Sequence, residues 1–280
     1  RDRSPSRGLG DVYKRQAMEH LDKLIDKEPV SFELGDGMRN CAQLMVTCLV
    51  DAIYPSVGIS AVEVLEAQGI TVEFPSDQTC CGQPAFNSGY WKDARAMARH
   101  TLDVFSVTNG PIVVPSGSCT DMIVHQYTEL LKDDAEYLAK AQDVAGRTYE
   151  FTQFLVDKMG LDDVGARFRG RAAYHSSCHG LRGLNLREQP RVLLSHVEGL
   201  KQVELPCSEE CCGFGGLFSV TMSSISGSIL ERKLDNLEKS GADLLVGNDV
   251  SCLMHMAGGL KLRGTQIEVK HISEVLNTHD

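Results

Sequence analysis

The stretch VEFPSDQTCCG, from Val72, and the stretch VELPCSEECCG, from Val203, are two versions of one segment, offset by 131 residues. Each carries a proline five residues before a pair of adjacent cysteines. Self-similarity of this kind decides the architecture before any other signal, because each copy must fold as the same unit. The likeness extends both ways. Upstream, Cys48 follows the apolar run QLMVT and Cys178 follows RAAYHSS; downstream, Cys119 follows PIVVPSGS and Cys252 follows DLLVGNDVS. The segments TYEFTQFLVD and EVKHISEVLN close the two copies. Vicinal cysteines cannot form an unstrained disulfide with each other, since the bridge needs well-separated Cα atoms and facing Cβ vectors. Cys80 and Cys81, like Cys211 and Cys212, must serve something else.

The apolar runs are short, β-branched and bounded by turn residues, as fully buried strands are. Between them lie helical patterns. PSVGISAVEVLEAQG enters with Pro55 and stops at Gly69, the proline-in, glycine-out signature of a helix of about fourteen residues. WKDARAMARHTLDVF, SISGSILERKLDNLEKSG and LREQPRVLLSHVEG read alike. Strand alternating with helix predicts an α/β fold: two pseudo-symmetric repeats, each a small parallel sheet with right-handed crossovers. The expected division is a tail and linker over 1–40, a first repeat over 41–160 and a second over 161–280. RDRSPSRGLGDVYKRQ, at 1–16, reads as a cloning or library scar, polar and without an apolar core.

A strand, a crossover helix and the next parallel strand take about 30 residues or more. The lone cysteine precedes its pair by 31 intervening residues in the first copy and 32 in the second; 37 and 39 residues then separate the pair from the last cysteine. These spacings put every repeated cysteine after the carboxyl end of a strand, where open α/β sheets bind their ligands. Four thiols per copy are expected to converge: Cys48, Cys80, Cys81 and Cys119 in one, Cys178, Cys211, Cys212 and Cys252 in the other.

Composition removes competing classes. A net charge of -10 and a pI near 5.4 oppose a nucleic-acid partner, which needs a basic footprint. No apolar run reaches the ~20 residues of a membrane span. Ten cysteines in a chain of 280 residues that is 42% hydrophobic do not make the disulfide framework of a small secreted domain. With no export signal read, the thiols are expected to stay reduced in the cytoplasm, suited to metal or redox chemistry. Zinc bound by four cysteines is one candidate, although its usual C-x-x-C knuckles are absent here. An iron–sulfur cluster accommodates adjacent cysteines better, since neighbouring thiolates can bind different irons, and four per [4Fe-4S] is the standard count. Two such clusters use eight of the ten cysteines. Cys41 and Cys207 have no repeat partner; Cys41 reads as a plain thiol and Cys207 as a candidate extra ligand or resolving thiol.

The motifs TCLVD, FPSDQTCCGQPAFNSGY, PSGSC, YHSSCHGLRGL, ELPCSEECCGFGGLFS and SCLMH resemble the lactate utilisation protein A family over roughly residues 42–280. More distantly, the chain resembles the CCG domains of heterodisulfide reductases and of the glycolate oxidase iron–sulfur subunit. The resemblance implies an iron–sulfur oxidoreductase subunit that helps to oxidise L-lactate, or a similar 2-hydroxy acid, to pyruvate. It further implies a ferredoxin-type cluster protein and a third subunit as partners. The chain departs from the heterodisulfide pattern, whose closing motif is C-x-x-C: Ser116 and Asp249 occupy the first position of that pair. A cubane cluster is expected in place of a five-thiolate one, which weakens the rival reading of a thiol-disulfide reductase. A zinc-stabilised, non-redox assembly protein is the rival from another class.

His175 and His179 flank Cys178, and Arg182 follows within a turn. They are candidates for proton transfer and for gripping a carboxylate, or for supporting the metal ligands. His255, three residues after Cys252, reads either as approaching the cluster from the following helix or as a helix cap. Gln83 and Asn87 stand beside the first pair as hydrogen-bond donors to sulfur. Gly82, Gly213, Gly215 and Gly216 lack the rest of a nucleotide-binding fingerprint and read as hinges for tight turns near sulfur.

Overall fold

The buried strands are the short apolar runs, and their order sets where ligands can bind. In a computed structural model describing residues 41–279, the first sheet comprises β1 (Cys41–Leu44), β2 (Thr71–Glu73), β3 (Ile112–Val114) and β4 (Thr148–Glu150). The second comprises β5 (Arg167–His175), β6 (Glu198–Val203), β7 (Leu244–Gly247) and β8 (Glu268–His271). The tail expected over 1–40, with its scar over 1–16, lies outside the described residues. All pairings between these strands are parallel, in the orders β2-β1-β3-β4 and β6-β5-β7-β8. β3 and β7 are buried along their whole length, whereas the edge strand β2 is largely exposed, which explains their all-apolar and mixed sequences.

Both sheets change direction of winding between their two central strands. That is the switch point at which crossovers leave for opposite faces and a crevice opens at the strand carboxyl ends. Cys48 follows β1 and Cys119 follows β3, on either side of the first switch point; Cys178 after β5 and Cys252 after β7 flank the second. The paired cysteines follow the outer neighbours, β2 and β6.

The helices form where the sequence places them. Pro55–Ala67 starts on its proline and ends before Gly69, at φ 79°. Trp91–Phe105 and Ser223–Ser240 follow the paired cysteines, the latter closed by Gly241 in the left-handed conformation. One segment is shorter than expected: LREQPRVLLSHVEG yields only Gln189–Ser195. Pro190 sits in its first turn, where the N–H it lacks would have no helical partner.

The two halves share one core. Ala42, Leu44, Val57, Ala61 and Leu65 of the first pack in the same cluster as Tyr174, Leu193, Val246, Ile272 and Val275 of the second. Full burial of each such aliphatic side chain is worth roughly 1.5–3 kcal/mol. Ser273 Oγ donates to the Val57 carbonyl at 3.0 Å within this seam. No described helix is long and apolar enough to cross a membrane.

Candidate metal centre

Each paired-cysteine loop is a tight turn held from behind. Gly82 follows the first pair at φ 84° and Gly213 the second at φ 92°. A Cβ on Gly213 would stand 2.6 Å from the Ser226 carbonyl oxygen, and one on Gly82 3.1 Å from Met97 Cβ, so both loops press against the following helix. The Gly213 N–H donates to Cys211 Sγ at 3.3 Å. In the first half Gln78 ties its loop to the sheet: its side chain accepts from the Val46 N–H at 2.7 Å and donates to the Leu44 carbonyl at 3.1 Å. The Tyr127 hydroxyl donates to the Cys81 carbonyl at 2.7 Å. In the second half the buried Lys233 ammonium donates to the carbonyls of Cys207, Ser208 and Glu210 at 3.1, 2.8 and 3.1 Å.

The closing cysteines sit in the first turns of helices, and these turns bind each other. Ser116 caps Gly117–Asp121 and Asp249 caps Val250–Arg263. The Asp249 carboxylate also accepts from the Ser118 N–H at 2.8 Å and the Ser116 hydroxyl at 3.3 Å, while the Gly117 N–H donates to the Asn248 carbonyl at 3.1 Å. The positions where a C-x-x-C motif would carry its first sulfur are therefore helix caps that latch one half to the other. Gly117 is small for the same reason: a Cβ there would be 3.2 Å from Gly180 Cα.

All eight repeated thiols line one cavity of about 520 Å³, with Leu49, Pro84, Phe214, Leu217 and Val220 among its apolar walls. Cys81 Sγ lies 3.3 Å from Cys119 Sγ. Cys81, Cys119 and Cys212 are buried, Cys48 is exposed, and the other four are half-buried; among the described residues no cysteine is in a disulfide. The thiols of Cys48 and Cys81 donate to Cys80, which with the Gly82 N–H brings its pKa down to about 3. Cys178 and Cys212 do the same for Cys211, down to about 2. The contacts of Cys81 with Cys119 and of Cys212 with Cys252, together with these same contacts and burial, push Cys48, Cys81, Cys178 and Cys212 well above the ordinary thiol range. Each set thus holds a thiolate among crowded thiols. That is a donor set for a cationic centre, whose binding displaces the remaining protons.

The other residues singled out in the sequence separate. His175 is buried, neither ring nitrogen has a hydrogen-bond partner among the described residues, and one lies within 4.8 Å of the sulfurs of both Cys212 and Cys252. His179 lines the thiol cavity; its Nδ1 is 2.6 Å from Asp121 Oδ2 and its Nε2 3.2 Å from Gln83 Nε2. The hydrogen bond that His179 donates to the Asp121 carboxylate raises its pKa against the opposing effect of burial. Arg182 lies outside the cavity. Its guanidinium donates to the Glu209 carbonyl at 2.9 Å, and it lines an adjoining cleft with Cys178, His179, Asp121 and His125. Asn87 lines the cavity, and His255 meets Phe214 in a tilted contact with ring centroids 5.8 Å apart. Cys41 opens β1, at the end of the strand remote from the thiols, and Cys207 is exposed outside the cavity at φ 52°.

Three residues were not picked out from the sequence. Lys233 occupies a helix position between Leu230, Leu234 and Leu237 that should be apolar, and a lysine on a buried stripe is the signal. Asp121, two residues past Cys119, and Gln78, two before Cys80, left no comparable trace.

The chain matches the family model described as a CCG cysteine-rich domain twice, over residues 42–124 and 172–257. It is 48% identical over 237 residues to "Lactate utilization protein A" of Shouchella clausii, covering 85% of this chain and 98% of the relative. It is also 48% identical to the protein of the same name from Anoxybacillus flavithermus, covering 84% and 98%. Among solved structures, a hypothetical protein from Helicobacter pylori shares the fold at a TM-score of 0.55 and 11% identity, over 94% of this chain and 53% of that one. With a cysteine-rich match in each half and nearly the full length of these relatives spanned, the chain belongs to the lactate utilisation protein A family of CCG cysteine-rich proteins.

Proposed function

We propose that the chain is an iron–sulfur electron-transfer subunit in the oxidation of L-lactate, or a closely similar 2-hydroxy acid, to pyruvate. The observation that carries this reading is the pair of four-thiol sets lining one cavity at the switch points of twinned sheets. The names of the relatives supply the lactate context. Cys48, Cys80, Cys81 and Cys119 would hold one cluster and Cys178, Cys211, Cys212 and Cys252 the other, each a [4Fe-4S] by ligand count. An iron–sulfur cluster supplies one-electron exchange when bound. The protein holds the donor thiols in place through the glycine turns, lines the site with an apolar wall, and latches the closing helices through Ser116 and Asp249.

His179, fixed by Asp121, and Arg182 in the adjoining cleft are the groups assigned to proton transfer and to the substrate carboxylate. His175 is assigned to support of the second thiol set. The working units are residues 41–160 and 161–280, one repeat each. A ferredoxin-type cluster protein and a third subunit are the proposed partners, and the cytoplasm, where thiols stay reduced, is the proposed compartment.

Anaerobic purification with iron and acid-labile sulfide counts and electron paramagnetic resonance tests this. About eight irons and eight sulfides per chain are expected, from four per cluster. Stoichiometric zinc without iron or sulfide would overturn it in favour of a zinc-stabilised assembly protein, a reading the His175, Cys212, Cys252 group also fits. Turnover of mixed disulfides with no electron uptake from lactate in the assembled complex would favour a disulfide reductase instead.

A further inference from the structure

The two thiol sets have similar frames but different charges behind them. His175 stands three residues before Cys178, where the first half has Met45 before Cys48. Both are buried, at 1% and 0% exposure. The imidazole alone brings polar groups to the site, and it finds no protein partner for them among the described residues. A buried donor left unmatched is costly, and the sulfurs of Cys212 and Cys252 lie within 4.8 Å of one of its nitrogens.

Lys233 makes the second difference. Gly213 abuts Ser226 as Gly82 abuts Ala94, which fixes the register between the two helices and sets Lys233 opposite Thr101. Both positions are 1% exposed. The second half therefore keeps an ammonium directly behind the loop that presents Cys211 and Cys212. The first half supports its loop with the neutral Tyr127 hydroxyl and the neutral Gln78 amide.

We propose that the two centres are unequal electron acceptors: the group held by Cys178, Cys211, Cys212 and Cys252 takes up an electron at the more positive potential. Hydrogen bonds to sulfur and local charge are the levers that tune iron–sulfur potentials. An N–H beside the sulfurs and a cation nearby both favour the reduced, more negative form, and a poorly polarisable interior strengthens both effects. A single electron delivered to the chain rests in the second half. The inference depends on the iron–sulfur reading above.

The test is an anaerobic dithionite titration, followed by electron paramagnetic resonance, of protein carrying both centres. Two midpoints are expected, the more positive lost in Cys212→Ser and the more negative lost in Cys81→Ser. His175→Met, which installs the first half's side chain, should shift only the more positive midpoint downward and remove a nitrogen coupling from the pulsed spectrum. His175→Gln, which keeps an N–H, should restore part of the shift. Lys233→Met should lower the same midpoint and leave the nitrogen coupling intact. Coincident or reversed midpoints in fully loaded protein, or a His175→Met variant with unchanged potentials and spectrum, would overturn the proposal while leaving the iron–sulfur reading in place. Protein that binds neither iron nor sulfide rejects both.

Discussion

The first half seats its paired cysteines with neutral groups. Gln78 reaches back from the loop to the end of β1, and Tyr127 reaches across to the Cys81 carbonyl. The second half reverses the direction of support, with Lys233 coming up from the following helix to gather three loop carbonyls. The glycine after the pair, the cap before the closing cysteine and the strand order are common to both. Geometry in this molecule is set by backbone features that duplication copied, and the electrical environment by the side chains packed behind them. Different side chains brace the same turn in the two halves.

The comparison breaks most visibly at the cysteines themselves. Cys81→Ser is expected to remove about half of the bound iron and sulfide and leave the second centre's spectrum intact, with Cys212→Ser the mirror image; the count follows from four thiolates per cluster. Loss of all iron in either variant would mean one shared site in the common cavity.

The turns differ in how tightly they are pressed. Gly213→Ala must fit a Cβ 2.6 Å from a backbone oxygen, whereas Gly82→Ala meets the flexible Met97 side chain at 3.1 Å, and both carry positive φ. Chemical denaturation should show losses of about 3 kcal/mol for the former and about 1–2 kcal/mol for the latter, given the usual cost of a left-handed non-glycine residue. Equal losses would show that the two loops are braced alike.

A third contrast lies in the caps that follow β4 and β8. Glu150 accepts from the Thr152 N–H at 2.8 Å and His271 from the Ser273 N–H at 3.2 Å, at equivalent places in the two sheets. Burial raises Glu150 to about 7, against hydrogen bonds from Thr152 and Gln153. Burial lowers His271 to about 4, against the nearby charges of Glu274 and Asp249. The signs are opposite. The raised carboxyl gives stability that is complete below pH ~4.5 and lost as pH rises through about 7; the depressed imidazole gives stability that is complete above pH ~6.5 and lost as pH falls through about 4. Each is worth on the order of 3 kcal/mol. Relative to the parent, Glu150→Gln should gain stability as pH rises from 4.5 to 7, and His271→Gln should lose its share of the acid-side decline. Parallel pH profiles for parent and Glu150→Gln would refute the assignment.

The smallest effect expected is at the latch. Ser116→Ala removes a helix cap and a donor to Asp249, a loss of about 1 kcal/mol. Asp249→Ala leaves the Ser118 N–H without its acceptor as well and should cost about 2 kcal/mol. Thermal unfolding separates them, and equal effects would place the inter-half bond outside the stability balance.

Much of this was legible from residue order. The central strands β3 and β7 showed as apolar runs because they are buried along their whole length; Pro55 marked a helix start because its φ is fixed, and Gly69 and Gly241 marked helix ends because glycine tolerates the left-handed conformation there. The helix expected over LREQPRVLLSHVEG is shorter, Gln189–Ser195, because its last residues belong to the start of β6 at Glu198. The π-helical turns Met122–Gln126 and His179–Gly183, which follow Cys119 and Cys178, have no sequence mark, since they arise from how the chain fits around the crevice.

Residue order by itself determined the duplication, the parallel α/β class and the eight converging thiols, because all three follow from covalent spacing: one strand and one crossover measure out the distance from sulfur to sulfur. Only the tertiary structure decided that both thiol sets open into a single cavity, that Asp249 binds the opposite half, and that His175 and Lys233 stand behind one set where Met45 and Thr101 stand behind the other. Those facts depend on which side chains meet when remote segments pack, and no local period in the chain records that meeting.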